Sequence, residues 1–148
     1  MNRFALEDAI AARFQDYIIN YLNGYDMKRI IRKKLYASDI SKTQIRLSMP
    51  IRQLETHEFL TDDEKQELEN EKEFPVRLLG PSMRMHDKSM ALKMWKLSST
   101  RSYVLRTNWN EFVKENDDVL KENTNICVWS FRIDGNLCFA LACMDDVA

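Results

Sequence analysis

The stretch from Cys127 to Ala142 admits little besides a β-hairpin. Trp129, Phe131 and Ile133 alternate with Val128, Ser130 and Arg132, the two-residue period of a strand. Asp134-Gly135 supplies the left-handed turn that joins antiparallel neighbours, and Leu137–Ala142 carries the chain back. A second alternation runs through Gln44–Met49. Ile45, Leu47 and Met49 face one way and Gln44, Arg46 and Ser48 the other, until Pro50 ends the strand. Further strands are expected from Arg29 to about Ala37, at Val76–Leu79, Met83–Met85, Ala91–Leu97 and Tyr103–Leu105. Ser38-Asp39, Gly80-Pro81 and Asp87-Lys88-Ser89 read as turns between them, and Ser98–Arg101 as a polar loop.

Helical signals are fewer. Leu6, Ile10, Phe14, Tyr17, Ile18, Tyr21 and Leu22 recur at three- and four-residue spacing, predicting an amphipathic helix over 3–22 that Asn23-Gly24 stops. Its apolar stripe needs a partner surface. The protein's own core is the first expectation; a protein partner or self-association through this helix is the second. Thr61-Asp62-Asp63-Glu64 is a capping box opening a short acidic surface helix, and Asn108–Asn116 places Trp109, Phe112 and Val113 on one helical face. About seven strands with two or three helices, in no βαβ rhythm, give a mainly β (α+β) chain closing as a barrel or sandwich. The one candidate boundary lies near Gly24. It divides an N-terminal helical segment, residues 1–27, from a domain over 28–148.

The chain's 148 residues fit a single domain with a core of its own. Every apolar run is broken by charge well short of a membrane span, and Arg3, Glu7 and Asp8 interrupt any leader-like segment. An intracellular location, cytosol or nucleus, is therefore expected. Cys127, Cys138 and Cys143 are odd in number and lack a C-x-x-C spacing, which suits buried reduced thiols.

Net charge is −1, but the charge is segregated. Residues 28–53 carry eight basic groups and one acidic; residues 54–73 carry two basic and nine acidic; residues 74–114 carry eight basic and two acidic. A fold that gathers the two basic blocks would have a positive face and a negative back. Enzymatic signals are missing. Gly24, Gly80 and Gly135 cannot build a phosphate-cradling loop, His57 and His86 lack a second ligand at metal spacing, and no Ser or Cys sits in a nucleophile elbow. The reading is of a binding protein without cofactor or metal. Trp95, Trp109 and Trp129 are expected to pack in the core rather than stack on bases.

Three segments, in order, resemble the plant B3 DNA-binding domain family. Lys34-Leu35-Tyr36-Ala37-Ser38-Asp39-Ile40 with Arg46-Leu47-Ser48-Met49-Pro50 is similar to its strand, Ser-Asp turn and Arg-Leu-x-x-Pro strand. Ser102-Tyr103-Val104-Leu105 with Trp109 and Phe112-Val113 is similar to its Tyr-Val-Leu … Trp … Phe-Val run, and Ile126–Arg132 to its penultimate strand. The Asn23-Gly24 entry and the Phe59-Leu60-Thr61 helix start look closest to a small divergent subgroup of short single-domain chains. Ile45, where that subgroup has a polar residue, and Lys121-Glu122-Asn123-Thr124, in place of a Lys-x-Gly-Asp turn, depart from the pattern.

The resemblance implies a seven-stranded open β-pseudobarrel with two short flanking helices, here preceded by the amphipathic one. It also implies a nuclear transcriptional regulator that grips the major groove of double-stranded DNA with two loops, near 38–46 and 96–102. Those loops fall in the two basic blocks. In the first, Lys42 and Arg46 suit phosphates, Gln44 an adenine edge, Thr43 a polar contact, and Ser38 and Asp39 either DNA or the turn itself. In the second, Lys96 suits a phosphate, Ser98, Ser99, Thr100 and Ser102 phosphates or base edges, and Arg101 the fork to guanine. Two rivals stand beside this reading: a B3-like protein-interaction module that has lost DNA recognition, and a nuclease, which would require a second, cutting domain.

Overall fold

The computed structural model describes residues 3–43 and 46–144. Strands β1 (Tyr25–Lys34), β2 (Leu47–Pro50), β3 (Phe74–Leu79), β4 (Met90–Leu97), β5 (Thr100–Arg106), β6 (Asn125–Ile133) and β7 (Asn136–Cys143) form one sheet in the order β1-β6-β7-β3-β4-β5-β2. All neighbours pair antiparallel except β3 and β7, which run parallel. The terminal strands of that order, β1 and β2, do not pair with each other among the described residues, so the barrel is open as expected. Among the described residues four α-helices accompany it: α1 (Arg3–Asn20), a single turn α2 (Ala37–Ile40), α3 (Asp62–Glu69) and α4 (Trp109–Glu115).

The barrel interior takes alternate residues from every strand, including Ile31, Leu47, Met49, Leu78, Leu92, Tyr103, Val128 and Phe139; Trp109 and Phe112 of α4 join that cluster. A second cluster lies on the other side of β6 and β7, where Trp129, Phe131, Cys138 and Ala140 meet Phe14 and Ile18 of α1. Phe14 stacks on Trp129 at 5.4 Å between ring centres. The helix thus spends its stripe on its own sheet, although Ile19 and Tyr21 stay exposed at 49% and 73%. This also explains why β6 is buried on both faces despite its alternating sequence. Cys127 and Cys138 are free and buried, and burial pushes the Cys127 thiol up to about 12, as inert core thiols require.

The joint between α1 and β1 is tight. Asn23 is left-handed (φ 57°), and the Gly24 N–H donates to the Ile18 carbonyl at 2.8 Å. A Cβ at Gly24 would stand 2.5 Å from Ile18 Cγ2, so the helix end closes onto the strand only over a glycine. At the other hairpin, Asp134 and Gly135 take φ of 50° and 81° between the facing residues Ile133 and Asn136.

Several local expectations shift. β1 starts at Tyr25 and ends at Lys34, because the Tyr36 N–H bonds to Asp39 and the Ser-Asp turn winds into α2. Met83–Met85 is no strand: only Met85 bridges to Leu79, after a turn in which the Met83 N–H returns to the Gly80 carbonyl at 3.0 Å. The Ser98–Arg101 loop shrinks to two residues, since Thr100 and Arg101 pair with Leu97 and Lys96. The acidic helix α3 has the expected Thr61–Glu64 capping box, but it is not merely solvated. Arg132 reaches Glu64 at 2.7 and 2.8 Å and the Phe59 carbonyl at 2.8 Å, fastening α3 to β6.

Candidate nucleic-acid interface

The β2-β5-β4 segment sends Leu47, Met49, Tyr103, Leu105, Leu92 and Met94 into the barrel. Strand alternation therefore turns Ser48, Pro50, Ser102, Val104, Arg106, Lys93 and Trp95 to the outer side. Neither hydrophobic cluster reaches that side among the described residues; Val104 is fully buried at its centre, with Ser48, Lys93, Trp95 and Ser102 half-buried around it. The register fixes what stands at each end. Leu47, where the first candidate loop enters β2, faces Leu105; the β4–β5 tip begins at Thr100. Five strand steps separate those ends, about 17 Å. The two loops therefore bracket one outer face from opposite ends.

At the first end, Asp39 is the anchor. It is 1% exposed, its Oδ2 lies 3.0 Å from Lys33 Nζ and accepts the Tyr36 N–H at 2.9 Å, and its Oδ1 accepts the Ser48 N–H at 3.3 Å. The Asp39 carbonyl accepts Trp109 Nε1–H at 2.6 Å. One side chain thereby ties the loop base to β1 and β2. Burial pulls the Lys33 pKa down, against the raising pull of Asp39. Asp39 was a candidate contact to DNA; its burial and four partners instead commit it to shaping the turn. Ser38 is half-buried and its carbonyl accepts Arg46 Nη1–H at 3.2 Å. Lys42 and Thr43 are exposed, with Thr43 folded back on Ser41 Oγ through its N–H at 3.1 Å. Gln44 lies outside the described residues.

Arg46 connects this end to the face. Its guanidinium carbon stands 5.0 Å from the centre of the Trp95 ring, within cation–π range. Trp109 and Trp129 pack in the core as expected, at 1% and 4% exposure. Trp95 does not: it occupies an outward position of β4, where it shares the face with Arg46. No local pattern marked it, because the periodicity of residues 91–97 is mixed.

At the second end, Ser98, Ser99, Thr100 and the apolar Leu97 are exposed at the hairpin tip, and Thr100 Oγ1–H donates to the Leu97 carbonyl at 3.0 Å. Ser98 is left-handed (φ 52°). Lys96 and Arg101 face each other across the hairpin in the inward register of Met94 and Tyr103, not that of Trp95 and Ser102, and at the strand ends they turn toward α3, where Glu69 takes both: Arg101 Nη1 at 2.7 Å and Lys96 Nζ at 3.2 Å. A cleft of about 350 Å³ separates this tip from a 3-10 turn at Ile51–Gln53; Arg52 and Gln53 line it opposite Ser99 and Arg101. Neither Arg52 nor Gln53 was singled out by sequence, although Arg52 lies in the first basic block.

The charge picture is less simple than a positive face and a negative back. Lys28, Arg29, Arg32 and Lys33 are paired with Asp26, Glu55, Glu7 and Asp39. Half of the first basic block is thus spent along β1, while Arg46 stands over Trp95, Arg52 lines the cleft beside the β4–β5 tip, and Lys42 is exposed in the first loop. The acidic helix supplies a carboxylate to the second loop itself. Among the described residues no group of three His, Cys, Asp or Glu could hold a metal ion. His86 is buried, pairs with Glu115 at 3.1 Å and packs edge-on against Phe112; His57 is exposed.

The comparisons with known proteins agree on one lineage. The family model described as B3 domain-containing protein At2g31720-like matches residues 14–145. B3 domain-containing protein At2g32645 of Arabidopsis thaliana is 37% identical over 127 residues, covering 80% of this chain and 66% of its own. The chain spans between 34% and 66% of the lengths of the first three curated relatives it matches. Among solved structures, the Arabidopsis FUS3–DNA complex matches with a TM-score of 0.55 at 22% identity, covering 78% of this chain and 97% of that one. The Arabidopsis LEC2–DNA complex gives 0.53 at 19%, covering 80% and 94%. These two speak to the fold, the open seven-stranded pseudobarrel; the family match and the sequence relatives establish that the chain belongs to the plant B3 domain family.

Proposed function

We propose that this chain binds double-stranded DNA in a sequence-specific manner through the outer face of β2-β5-β4 and the loops at its two ends, and acts in the nucleus as a transcriptional regulator. The observation that carries the reading is an outer sheet face that neither hydrophobic cluster reaches among the described residues, bracketed by Arg46 at one end and by Ser98, Ser99, Thr100 and Ser102 at the other, with Lys42 exposed in the first loop and Arg101 lining the cleft beside the second. Two solved structures similar to this chain, the FUS3 and LEC2 complexes, are bound to DNA, which supports the same use of the fold here. About 17 Å between the loops leaves room for one wall of a duplex whose major groove is about 12 Å wide. Lys42 and Arg46 would neutralise phosphates, and the short hydroxyls of the tip would meet phosphates or base edges. Arg101 has four donors beyond the one given to Glu69 and retains the capacity to read guanine. Regulation of transcription would follow from site choice together with partners recruited elsewhere.

Selection from a random duplex pool, followed by titration of the recovered site at several salt concentrations, tests the reading. An enriched site whose affinity falls steeply from low to moderate salt is expected. No duplex affinity even at low salt would instead favour a protein-interaction module built on the same barrel.

A further inference from the structure

Lys96 and Arg101 are directly opposed on β4 and β5, an arrangement that like charges disfavour. Glu69, the last residue of α3, resolves it by giving one carboxylate oxygen to each: Oε1 to Arg101 Nη1 at 2.7 Å and Oε2 to Lys96 Nζ at 3.2 Å. Lys96 is fixed further by donating to the Glu69 carbonyl at 2.8 Å, one of the free carbonyls at the helix end that favour a cation. The Lys96 hydrogen bond, with the charges of both cations, holds the Glu69 carboxyl below its usual range, so it is ionised at neutral pH. Two consequences follow for any polyanion approaching this tip. The pair presents one net positive charge in place of two. The Arg101 guanidinium is also tethered at one nitrogen, which limits the directions in which its remaining edge can point.

We propose that Glu69 is a specificity-determining residue: by clasping Lys96 and Arg101 it restrains their sequence-blind attraction to phosphates and presents Arg101 in one orientation. The inference rests on the duplex-binding reading above. Phosphate attraction contributes to every sequence alike, whereas an oriented fork discriminates among bases. A carboxylate that weakens the first and constrains the second widens the gap between right and wrong sites. The three side chains are roughly a third to a half exposed, and such ion pairs add little to folding stability. Glu69→Gln should therefore fold normally.

The test uses the full chain and two labelled duplexes: one selected by the wild-type chain from a random pool, and a scrambled duplex of the same composition. Glu69→Gln should bind the scrambled duplex more tightly, with a salt slope steeper by about one, and its preference for the selected duplex should fall about fivefold or more. Glu67→Gln removes the same charge from an exposed position on the same helix and should leave the preference unchanged. An unchanged preference in Glu69→Gln, equal weakening on both duplexes, or the same loss in Glu67→Gln would overturn the proposal. A wild-type chain that binds neither duplex at low salt would overturn the duplex reading itself, and this inference with it.

Discussion

The two halves of the sheet are built alike and finished differently. Around β6 and β7 both faces are dry: Val128 and Phe139 point into the barrel, while Trp129, Phe131 and Ala140 point outward into a layer closed by Phe14 and Ile18. Around β5 and β4 the inner face is just as apolar, but the outer face carries Ser48, Lys93, Trp95, Ser102 and Arg106 around a buried Val104, and no helix closes it with a hydrophobic cluster among the described residues. One half is sealed on both sides; the other has an outer face outside both hydrophobic clusters, the face proposed for the duplex. The difference lies less in the strands than in α1, which covers one half only.

The largest expected effect probes the covered half. Phe14→Ala removes the ring stacked on Trp129 and should cost about 3–5 kcal/mol of unfolding free energy, measured by denaturant titration. Duplex affinity of the molecules that stay folded should not change. If affinity drops as much as stability, the two halves are not functionally separate.

Changes on the open half should do the reverse. Arg101→Ala should cost about 1–3 kcal/mol on the preferred sequence and relax selectivity at one base pair, with little change in melting temperature. Equal weakening on every sequence would reduce Arg101 to a phosphate contact. Lys42→Ala should have a smaller, uniform effect, with the salt slope reduced by about one. An unchanged slope would mean that the exposed Lys42 faces away from the duplex.

The smallest effect concerns the fastening of α3. Burial alone would raise the Glu64 pKa, but the Arg132 hydrogen bonds, the Thr61 N–H and the Arg132 charge together bring it below the usual carboxylate range. Folded Glu64 thus binds its proton less readily than in the unfolded chain. Its contribution is complete above the ordinary carboxylate pKa and is lost as pH falls through the lower folded value. Glu64→Gln should lower stability at neutral pH and flatten the acid limb in melts taken from pH 7 down to about pH 3; an acid limb identical to wild type would contradict the assignment.

The strands are legible where alternation is clean and turn chemistry unambiguous, as in Trp129–Ile133 with Asp134-Gly135; the Gln44–Met49 alternation marks β2, but that strand starts at Leu47 and keeps Pro50, paired with Ser102, as its last residue. Their ends are not legible where a short-range bond that no residue pattern marks decides the backbone. Tyr36 leaves β1 because its N–H bonds to Asp39, and Thr100 and Arg101 join β5 because Leu97 and Lys96 face them. The site, by contrast, depends on contacts between elements distant in the chain. Residue type suggested Lys42, Arg46, Arg101 and the tip hydroxyls, and the family likeness placed them in two loops. That Asp39 is spent on Lys33, that Trp95 faces outward under Arg46, and that Glu69 engages the second loop depend on the sheet register and on the packing of α3. None of these leaves a local trace in the chain.

Backbone amide shifts of isotopically labelled protein, titrated with the selected duplex, address the division of the sheet most directly. Perturbations are expected to concentrate in residues 38–43, 46–53 and 93–106, with α1, β6 and β7 nearly silent. Perturbations centred on α1 and the outer side of β6 and β7, with the β2-β5-β4 face unaffected, would contradict that division.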